Sequence, residues 1–92
     1  METIVFFEIE DWEEEYLRNA LLGQQLIFRK DKLTEQTVSE VVDATIVSPF
    51  IYSALTKSVI EKLAKLRMIA TRSTGFDHID VAFLQKRSQN VV

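Results

Sequence analysis

The chain contains no cysteine and a single histidine, His78, among its 92 residues. Without cysteine there is no disulfide framework, no thiolate nucleophile, no CxxC redox pair and no zinc site with cysteine ligands. A single histidine also excludes a metal site built from several histidine ligands. The absence of cysteine is typical of proteins in a reducing cytosol. We therefore predict no metal on this chain and a cytoplasmic location.

Glycine is scarce, and the two glycines, Gly23 and Gly75, lie far apart. This separation excludes both the GxGxxG dinucleotide loop and the GxxxxGK[ST] phosphate loop. Long apolar runs are absent too, whereas a helix that spans a bilayer needs about 20 apolar residues. The first residues are acidic and do not resemble the basic start of a signal peptide. The chain is therefore expected to hold no cofactor phosphates and to have no membrane partner.

The composition is that of one ordinary globular domain. Hydrophobic residues make up 47% of the chain and charged residues 27%, and a domain usually takes about 100–200 residues. The charge is uneven, since residues 1–46 carry 4 Lys/Arg and 11 Asp/Glu, whereas residues 47–92 carry 7 and 3. The basic residues form no stripe interleaved with aromatic residues, so we predict no nucleic-acid partner.

Five segments rich in β-branched and aromatic residues predict strands. Their apolar runs are nearly continuous, which is typical of strands covered on both faces of a parallel sheet. The predicted strands are residues 3–9, 25–29, 44–48, 68–71 and 91–92. Pro49 ends the third strand because proline cannot donate a hydrogen bond to the next strand.

Helical spacing and capping residues predict a helix between each pair of strands. In the first, residues 12–22, Asp11 and Glu14 resemble a capping box and Gly23 ends the helix. The other three are Thr34 with residues 37–42, Thr56 to Leu66, and a helix capped by Asp80 that runs to Arg87. The alternation predicts a doubly wound α/β fold of the flavodoxin-like kind, with a parallel sheet of four to five strands and right-handed crossovers.

The fifth predicted strand, residues 91–92, has only two residues in this sequence. A domain does not normally stop inside a buried strand, because unpaired backbone groups and one sheet face would be left uncovered. We therefore expect a sheet truncated at its fifth strand. Copies of the chain are expected to associate through the uncovered apolar surface.

The loop after the fourth strand, residues 72–80, is the most distinctive candidate site. Ligands of doubly wound sheets bind at the carboxyl ends of the strands, and this loop combines Ser73, Thr74 and Gly75 at such an end. Backbone N–H groups and two hydroxyls there could bind a carboxylate or phosphate. The alternative is a plain turn, in which Gly75 permits the bend and the following aspartates satisfy backbone donors. The spacing alone leaves both interpretations open.

The same region resembles a known family. Residues 66–80, Leu-Arg-Met-Ile-Ala-Thr-Arg-Ser-Thr-Gly-Phe-Asp-His-Ile-Asp, resemble the substrate-domain signature of the NAD-dependent D-isomer-specific 2-hydroxyacid dehydrogenases, particularly the D-lactate dehydrogenase branch. Residues 6–13 and 48–53 are similar to this family as well, so the resemblance covers essentially the whole chain. It implies that residues 1–92 are the N-terminal part of a flavodoxin-like substrate domain.

The resemblance also implies the substrate site. In the family, the loop that matches Ser73, Thr74 and Gly75 presents backbone amides to the substrate carboxylate. An aromatic residue at the position that matches Tyr52 or Phe50 lines the substrate pocket. The implied reaction is interconversion of a small 2-hydroxy acid and its 2-oxo acid by hydride transfer, with NAD as cofactor.

The catalytic groups implied by the resemblance lie outside this chain. The family uses an Arg, a Glu and a His as general acid/base in a nucleotide-binding domain that follows this segment, so neither Arg72 nor His78 matches them. We therefore predict no catalytic residue here, NAD bound by a domain absent from residues 1–92, no turnover by these residues alone, and a structural role for His78. One departure is that residues 86–90 read Lys-Arg-Ser-Gln-Asn, where family members tend to carry a glycine.

A stand-alone flavodoxin-like binding or regulatory module is the alternative interpretation. A receiver domain needs an acidic pair after the first strand, an Asp that ends the third, a hydroxyl that ends the fourth and a Lys that ends the fifth. Glu10 and Asp11 could supply the acidic pair, and Thr71 could supply the hydroxyl. Ser48 replaces the phosphoacceptor Asp, however, and the sequence ends before any such Lys.

Two further groups of residues have an ordinary interpretation. The acidic residues between Glu8 and Glu15 are interpreted as charge at a helix N-terminus, which complements the helix dipole, rather than as a metal site. Trp12, Phe76 and Phe83 are interpreted as core side chains, or as side chains covered by a missing partner, rather than as a ligand-stacking platform.

Overall fold

The structure, a computed structural model, describes residues 2–73, 75 and 78–87, together with the backbone of residues 90–91. Strands and helices alternate along these residues. In chain order they are β1 (Thr3–Phe6), α1 (Asp11–Ala20), β2 (Gln25–Phe28), the 3₁₀ helix Val38–Glu40, β3 (Ile46–Ser48), α2 (Lys57–Glu61), β4 (Met68–Ile69), α3 (Val81–Lys86) and β5 (Asn90–Val91).

The five strands form one parallel sheet in the order β2-β1-β3-β4-β5. Ile4 of β1 is in register with Leu26 of β2 on one side and with Ile46 of β3 on the other. This strand order is that of doubly wound flavodoxin-like domains, so the predicted fold class is confirmed. The order reverses between β1 and β3, and ligands of such sheets bind beyond the carboxyl ends of the strands at this point.

The continuous apolar run of β1 is explained by burial on both faces of the sheet. Val5 and Phe7 are fully buried in the larger core cluster. Ile4 and Phe6 belong to a smaller cluster on the other face, which also contains side chains of α1 and β2. Because both faces of the sheet are covered, the successive residues Ile4, Val5 and Phe6 are all apolar. A strand with one face in solvent would instead alternate apolar and polar residues.

Four of the five strands are shorter than predicted, although all five exist. β1 ends at Phe6 rather than at residue 9 because Glu8 has a φ of +56°, which turns the chain out of the extended conformation. β3 and β4 are likewise trimmed, to Ile46–Ser48 and Met68–Ile69. The fifth strand is Asn90–Val91, and Val92 lies outside the described residues.

The first helix begins one residue earlier than predicted. Glu10, not Asp11, is its N-cap, and the capping box joins Glu10 to Glu13 rather than Asp11 to Glu14. The prediction was wrong by one position because Glu can take the capping role that the sequence pattern assigned to Asp. The helix ends at Ala20, and Gly23 follows with a φ of +91°.

Two other helices are shorter than predicted. The segment 37–42 forms only the 3₁₀ helix Val38–Glu40. α2 ends at Glu61 instead of continuing to Leu66, because the next turns use tight hydrogen bonds from Leu63 N to Ile60 O at 3.0 Å and from Leu66 N to Leu63 O at 3.1 Å. Both leucines are still buried in the core.

The three aromatic residues interpreted as packing side chains have different environments. Trp12 is 70% exposed. The prediction that its side chain packs in the core of this chain was therefore wrong. Helical spacing placed it on the apolar face of α1, yet α1 rests on the sheet through Leu17 instead. Phe83 packs partly buried against the main core, as predicted. Phe76 lies outside the described residues.

The helices of the described residues are short. α1 has 10 residues, α2 has 5 and α3 has 6. None of these described helices combines the length and the apolar character that crossing a membrane requires. The cytoplasmic location and the lack of a nucleic-acid partner stay predictions.

Candidate functional site

The candidate site lies at the carboxyl ends of β1, β3 and β4, where the loops that follow the three strands meet. Backbone hydrogen bonds tie them together: Phe7 N donates to Ser48 O at 3.0 Å, and Arg72 N donates to Pro49 O at 2.9 Å. The three loops therefore share one edge of the sheet. This edge includes the point between β1 and β3 where the strand order reverses.

Glu8 is the main organiser of the β1 and β3 loops. Its carboxylate accepts hydrogen bonds from the backbone N–H groups of Phe50 at 3.0 Å, Tyr52 at 2.9 Å and Ser53 at 3.0 Å. The Ser53 hydroxyl donates a fourth bond to the same carboxylate at 2.6 Å. Hydrogen bonds to a charged acceptor are stronger than neutral ones, so this turn is tightly held.

Ser53 extends this network into the protein interior. The residue is 2% exposed, and its hydroxyl oxygen accepts a hydrogen bond from Leu33 N at 2.9 Å. The hydroxyl therefore both donates and accepts, which satisfies a buried backbone N–H and the Glu8 carboxylate with one group. The β3 loop is thus connected to the segment that follows β2.

Arg72 connects the β4 loop to the other two strands. Its guanidinium donates to the carbonyl oxygens of Phe7 and Ser48, the latter at 3.4 Å, and forms an ion pair with Glu13 at 3.1 Å. The Arg72 and Glu13 side chains are only 19% and 20% exposed, so solvent screens this pair less than a surface pair. The planar, multiply donating guanidinium suits these three acceptors.

The loop after β4 has its own hydroxyl network. Thr71 Oγ1 lies 2.7 Å from Ser73 Oγ and 3.3 Å from His78 Nε2. Ser73 Oγ also donates to Gly75 O at 2.9 Å. The Ser73 hydroxyl is therefore engaged within the loop, and His78 contacts the same network. The structural role of His78 stays a prediction.

The structure describes four of the five predicted substrate residues. Ser73 and Gly75 lie in the β4 loop, whereas Phe50 and Tyr52 lie in the β3 loop, 38% and 71% exposed. Arg72 and Thr71 connect the two loops, since Arg72 N and Thr71 Oγ1 both donate to Pro49 O. Thr74 lies outside the described residues.

An open cavity of about 440 Å³ adjoins the β3 loop. Phe50, Tyr52, Glu8, Lys30 and Lys32 line it, so the two predicted aromatic residues border the same space, and Ser73 and Gly75 are not part of its described lining. A hydrogen bond from Lys30 to Asp11 raises the pKa of the Lys30 ammonium. The cavity combines aromatic surface with charges of both signs.

Sequence reasoning missed Glu8 and Arg72 as organisers of this edge. One signal was present for Glu8, a lone charged residue inside the apolar run of residues 3–9. Such a residue needs several hydrogen-bond partners to be partly buried. For Arg72 there was no local signal, because its acceptors are backbone carbonyls and a carboxylate far away in the sequence.

Comparison with known protein families shows which family this chain belongs to. The sequence profile of the D-isomer specific 2-hydroxyacid dehydrogenase catalytic domain matches residues 4–92. The chain belongs to the D-isomer specific 2-hydroxyacid dehydrogenase family. Membership in this dehydrogenase family confirms the resemblance found in residues 66–80. It also argues against the receiver-like alternative, in which Ser48 occupies the phosphoacceptor position.

Curated and solved members resemble this chain over part of their length. A 2-hydroxyacid dehydrogenase homolog from Zymomonas mobilis is 30% identical over 76 residues, which are 80% of this chain and 23% of that protein. D-lactate dehydrogenase from Escherichia coli has a TM-score of 0.87 at 24% identity, over 98% of this chain and 30% of that one. D-lactate dehydrogenase from Aquifex aeolicus, in complex with NAD and lactic acid, has a TM-score of 0.87 at 28% identity, over 96% of this chain and 26% of that one. This chain therefore spans less than a third of each of these dehydrogenases.

Proposed function

We propose that this domain is the substrate side of an NAD-dependent dehydrogenase that interconverts a small 2-hydroxy acid and the corresponding 2-oxo acid. In this proposal the β4 loop, through Ser73, Thr74 and Gly75, donates backbone N–H groups to the substrate carboxylate. Phe50 and Tyr52 contact the rest of the substrate. Family membership and the complex of the Aquifex aeolicus relative with NAD and lactic acid support the proposal.

The observation that carries the proposal is the open space in front of Gly75. A Cβ added to Gly75 would meet no described atom within 4 Å, so packing inside the chain does not require a glycine there. The loop is nevertheless anchored from the side of the strand, by Arg72 and by the hydroxyls of Thr71 and Ser73. A firmly held backbone that faces free space suits the close approach of an anionic ligand.

The residues of this chain do not fit NAD itself. In dinucleotide-binding sheets a glycine-rich turn after the first strand receives the pyrophosphate, but here that turn carries Glu8, Glu10 and Asp11. Carboxylates repel phosphate groups, and the glycines needed for close approach are missing. We therefore propose that NAD binds outside residues 1–92, in a domain that also supplies the acid/base groups. Residues 1–92 alone are then expected to show no turnover.

Substitution of Gly75 tests the proposed carboxylate loop. In the protein that carries this domain, Gly75→Ala is expected to raise KM for a 2-oxo acid by about tenfold, because the new methyl group occupies the path of the carboxylate and weakens about one hydrogen bond. Steady-state kinetics with NADH and pyruvate or a larger 2-oxo acid measure this change.

Thermal unfolding supplies the control for Gly75→Ala, since a methyl group in open space leaves the midpoint nearly unchanged. An unaltered KM would contradict the role of the loop. A wild-type protein that oxidises NADH with none of the 2-oxo acids tested would contradict the proposed function as a whole.

Association of copies is a separate proposal. It is supported by three large apolar side chains on and after α1, Trp12, Tyr16 and Leu22, which are 70%, 69% and 81% exposed. Large exposed apolar groups favour contact with another surface. Light scattering of the 92-residue chain is expected to give a mass that rises with concentration, and a constant monomer mass would contradict the proposal.

A further inference from the structure

Glu8 combines an unfavourable backbone conformation with an unusually rich set of contacts. Its φ of +56° lies in the left-handed region, which non-glycine residues rarely adopt, and it is the one such residue in the described part of the chain. Strained residues persist only where surrounding contacts compensate for the strain, and they cluster at functional sites. Here the compensation is four hydrogen bonds from residues 50–53 to one carboxylate.

These bonds fix the loop that presents Phe50 and Tyr52. The backbone N–H groups of both aromatic residues point at Glu8, and all three side chains line the same cavity. Tyr52 is 71% exposed and Phe50 38% exposed, and neither belongs to a core cluster. The carboxylate of Glu8 therefore holds the backbone that carries the two rings.

We propose that Glu8 is a positioning residue for the substrate, which acts by holding Phe50 and Tyr52 at the cavity. The inference rests on the proposed function, because it assumes that these two aromatic residues contact a 2-oxo or 2-hydroxy acid. Glu8 does not touch the reacting atoms in this proposal. Its substitution therefore changes substrate binding and the preference among substrate side chains more than it changes the rate of the chemical step.

The hydrogen bonds from residues 50–53 to the Glu8 carboxylate are called the tether below. Nuclear magnetic resonance of the 92-residue chain tests the tether without a measurement of activity. Amide protons bonded to a carboxylate resonate downfield, so Glu8→Gln is expected to move the amide signals of Phe50, Tyr52 and Ser53 upfield. Glu15→Gln is the matched control, since Glu15 is exposed on α1 and none of its side-chain contacts is described. Equal, small shifts in both variants would overturn the tether.

Kinetics of the protein that carries this domain test the positioning role. Glu8→Gln is expected to raise KM for 2-oxo acids about five- to tenfold with kcat changed less than about twofold, the pattern of lost binding. The ratio of kcat/KM for 4-methyl-2-oxopentanoate and pyruvate is expected to change as well, because the rings contact the substrate side chain. Glu15→Gln is expected to leave all three values unchanged.

A double substitution separates positioning from general destabilisation. If Glu8 acts through Phe50, the effect of Glu8→Gln on KM falls below about twofold in a Phe50→Ala background, because coupled residues are not additive. If the effects of Glu8→Gln and Phe50→Ala on KM are independent and simply combine in the double variant, the inference is wrong. If the amide signals move but KM does not, the positioning role is wrong while the proposed function stands. If the wild-type protein reduces no 2-oxo acid, the proposed function fails, and the amide shifts still decide the tether.

Discussion

Replacement of Arg72 by leucine is expected to destabilise the chain by about 2–3 kcal/mol. The leucine leaves the carbonyl oxygen of Phe7 without its donor. It also removes one of the donors of Ser48 O and of the Glu13 carboxylate, which keep the hydrogen bonds from Phe7 N and Glu10 N. The ion pair is partly buried, since Glu13 is 20% exposed, so solvent replaces the lost guanidinium beside the Glu13 carboxylate only in part. The buried Nε of Arg72 has no partner among the described residues, and its removal offsets part of the loss.

Urea unfolding of the 92-residue chain measures the Arg72→Leu effect as a shift of the midpoint at constant m-value. The matched control is Arg67→Leu, because Arg67 also pairs with a carboxylate, Glu2 at 2.7 Å, but is 71% exposed. Exposed ion pairs contribute less than about 1 kcal/mol. Equal losses in the two variants would contradict the assignment of Arg72 as the connection among three strand ends.

The second large effect is expected for Ser53→Ala, which should destabilise the chain by about 2–3 kcal/mol. The substitution removes the 2.6 Å bond to the Glu8 carboxylate and leaves the N–H of Leu33 without its acceptor. Each of these two hydrogen bonds contributes more than an average one. The bond to Glu8 has a charged acceptor, and the N–H of Leu33 is a buried donor. The alanine itself fits the space, because it is smaller than serine by one oxygen atom.

Chemical denaturation measures the loss, and Ser39→Ala is the control. The Ser39 hydroxyl is exposed and donates only to Gln36 O at 3.3 Å, so its removal is expected to change stability by less than about 0.5 kcal/mol. Hydrogen exchange adds a local readout, because the amide of Leu33 should lose protection in Ser53→Ala before the core does. If Ser53→Ala unfolds at the same urea concentration as the wild type, the buried bridge contributes no stability.

The fold could be predicted because its determinants are local. The run at residues 4–7 is apolar at every position, which is typical of a strand covered on both faces, and the structure buries it on both faces. Asp80 was predicted as a cap, and its carboxylate accepts from Phe83 N at 3.1 Å. Helix ends were less predictable, since α2 stops at Glu61 where tight turns bring Leu63 and Leu66 to the core.

The candidate site could be predicted only in part. The loops after β3 and β4 could be selected because parallel strands bring their carboxyl ends to one edge. Phe50 and Tyr52 were named within them only through the family resemblance, and their role stays a prediction. The side chains that hold those loops in place could not be identified from the sequence. Glu8 looked like part of a strand, and Arg72 looked like an ordinary basic residue in a loop.

The amino-acid sequence thus determined the strands, the flavodoxin-like order of the sheet and the edge that we propose as the ligand site. The tertiary structure alone decided how that edge is held together. Glu8 and Tyr52 are 44 positions apart, and Phe7 and Arg72 are 65 apart. A strand or helix follows from spacing within a few residues, but a carboxylate or guanidinium gains its partners only after the folded sheet brings distant loops within about 3 Å of one another.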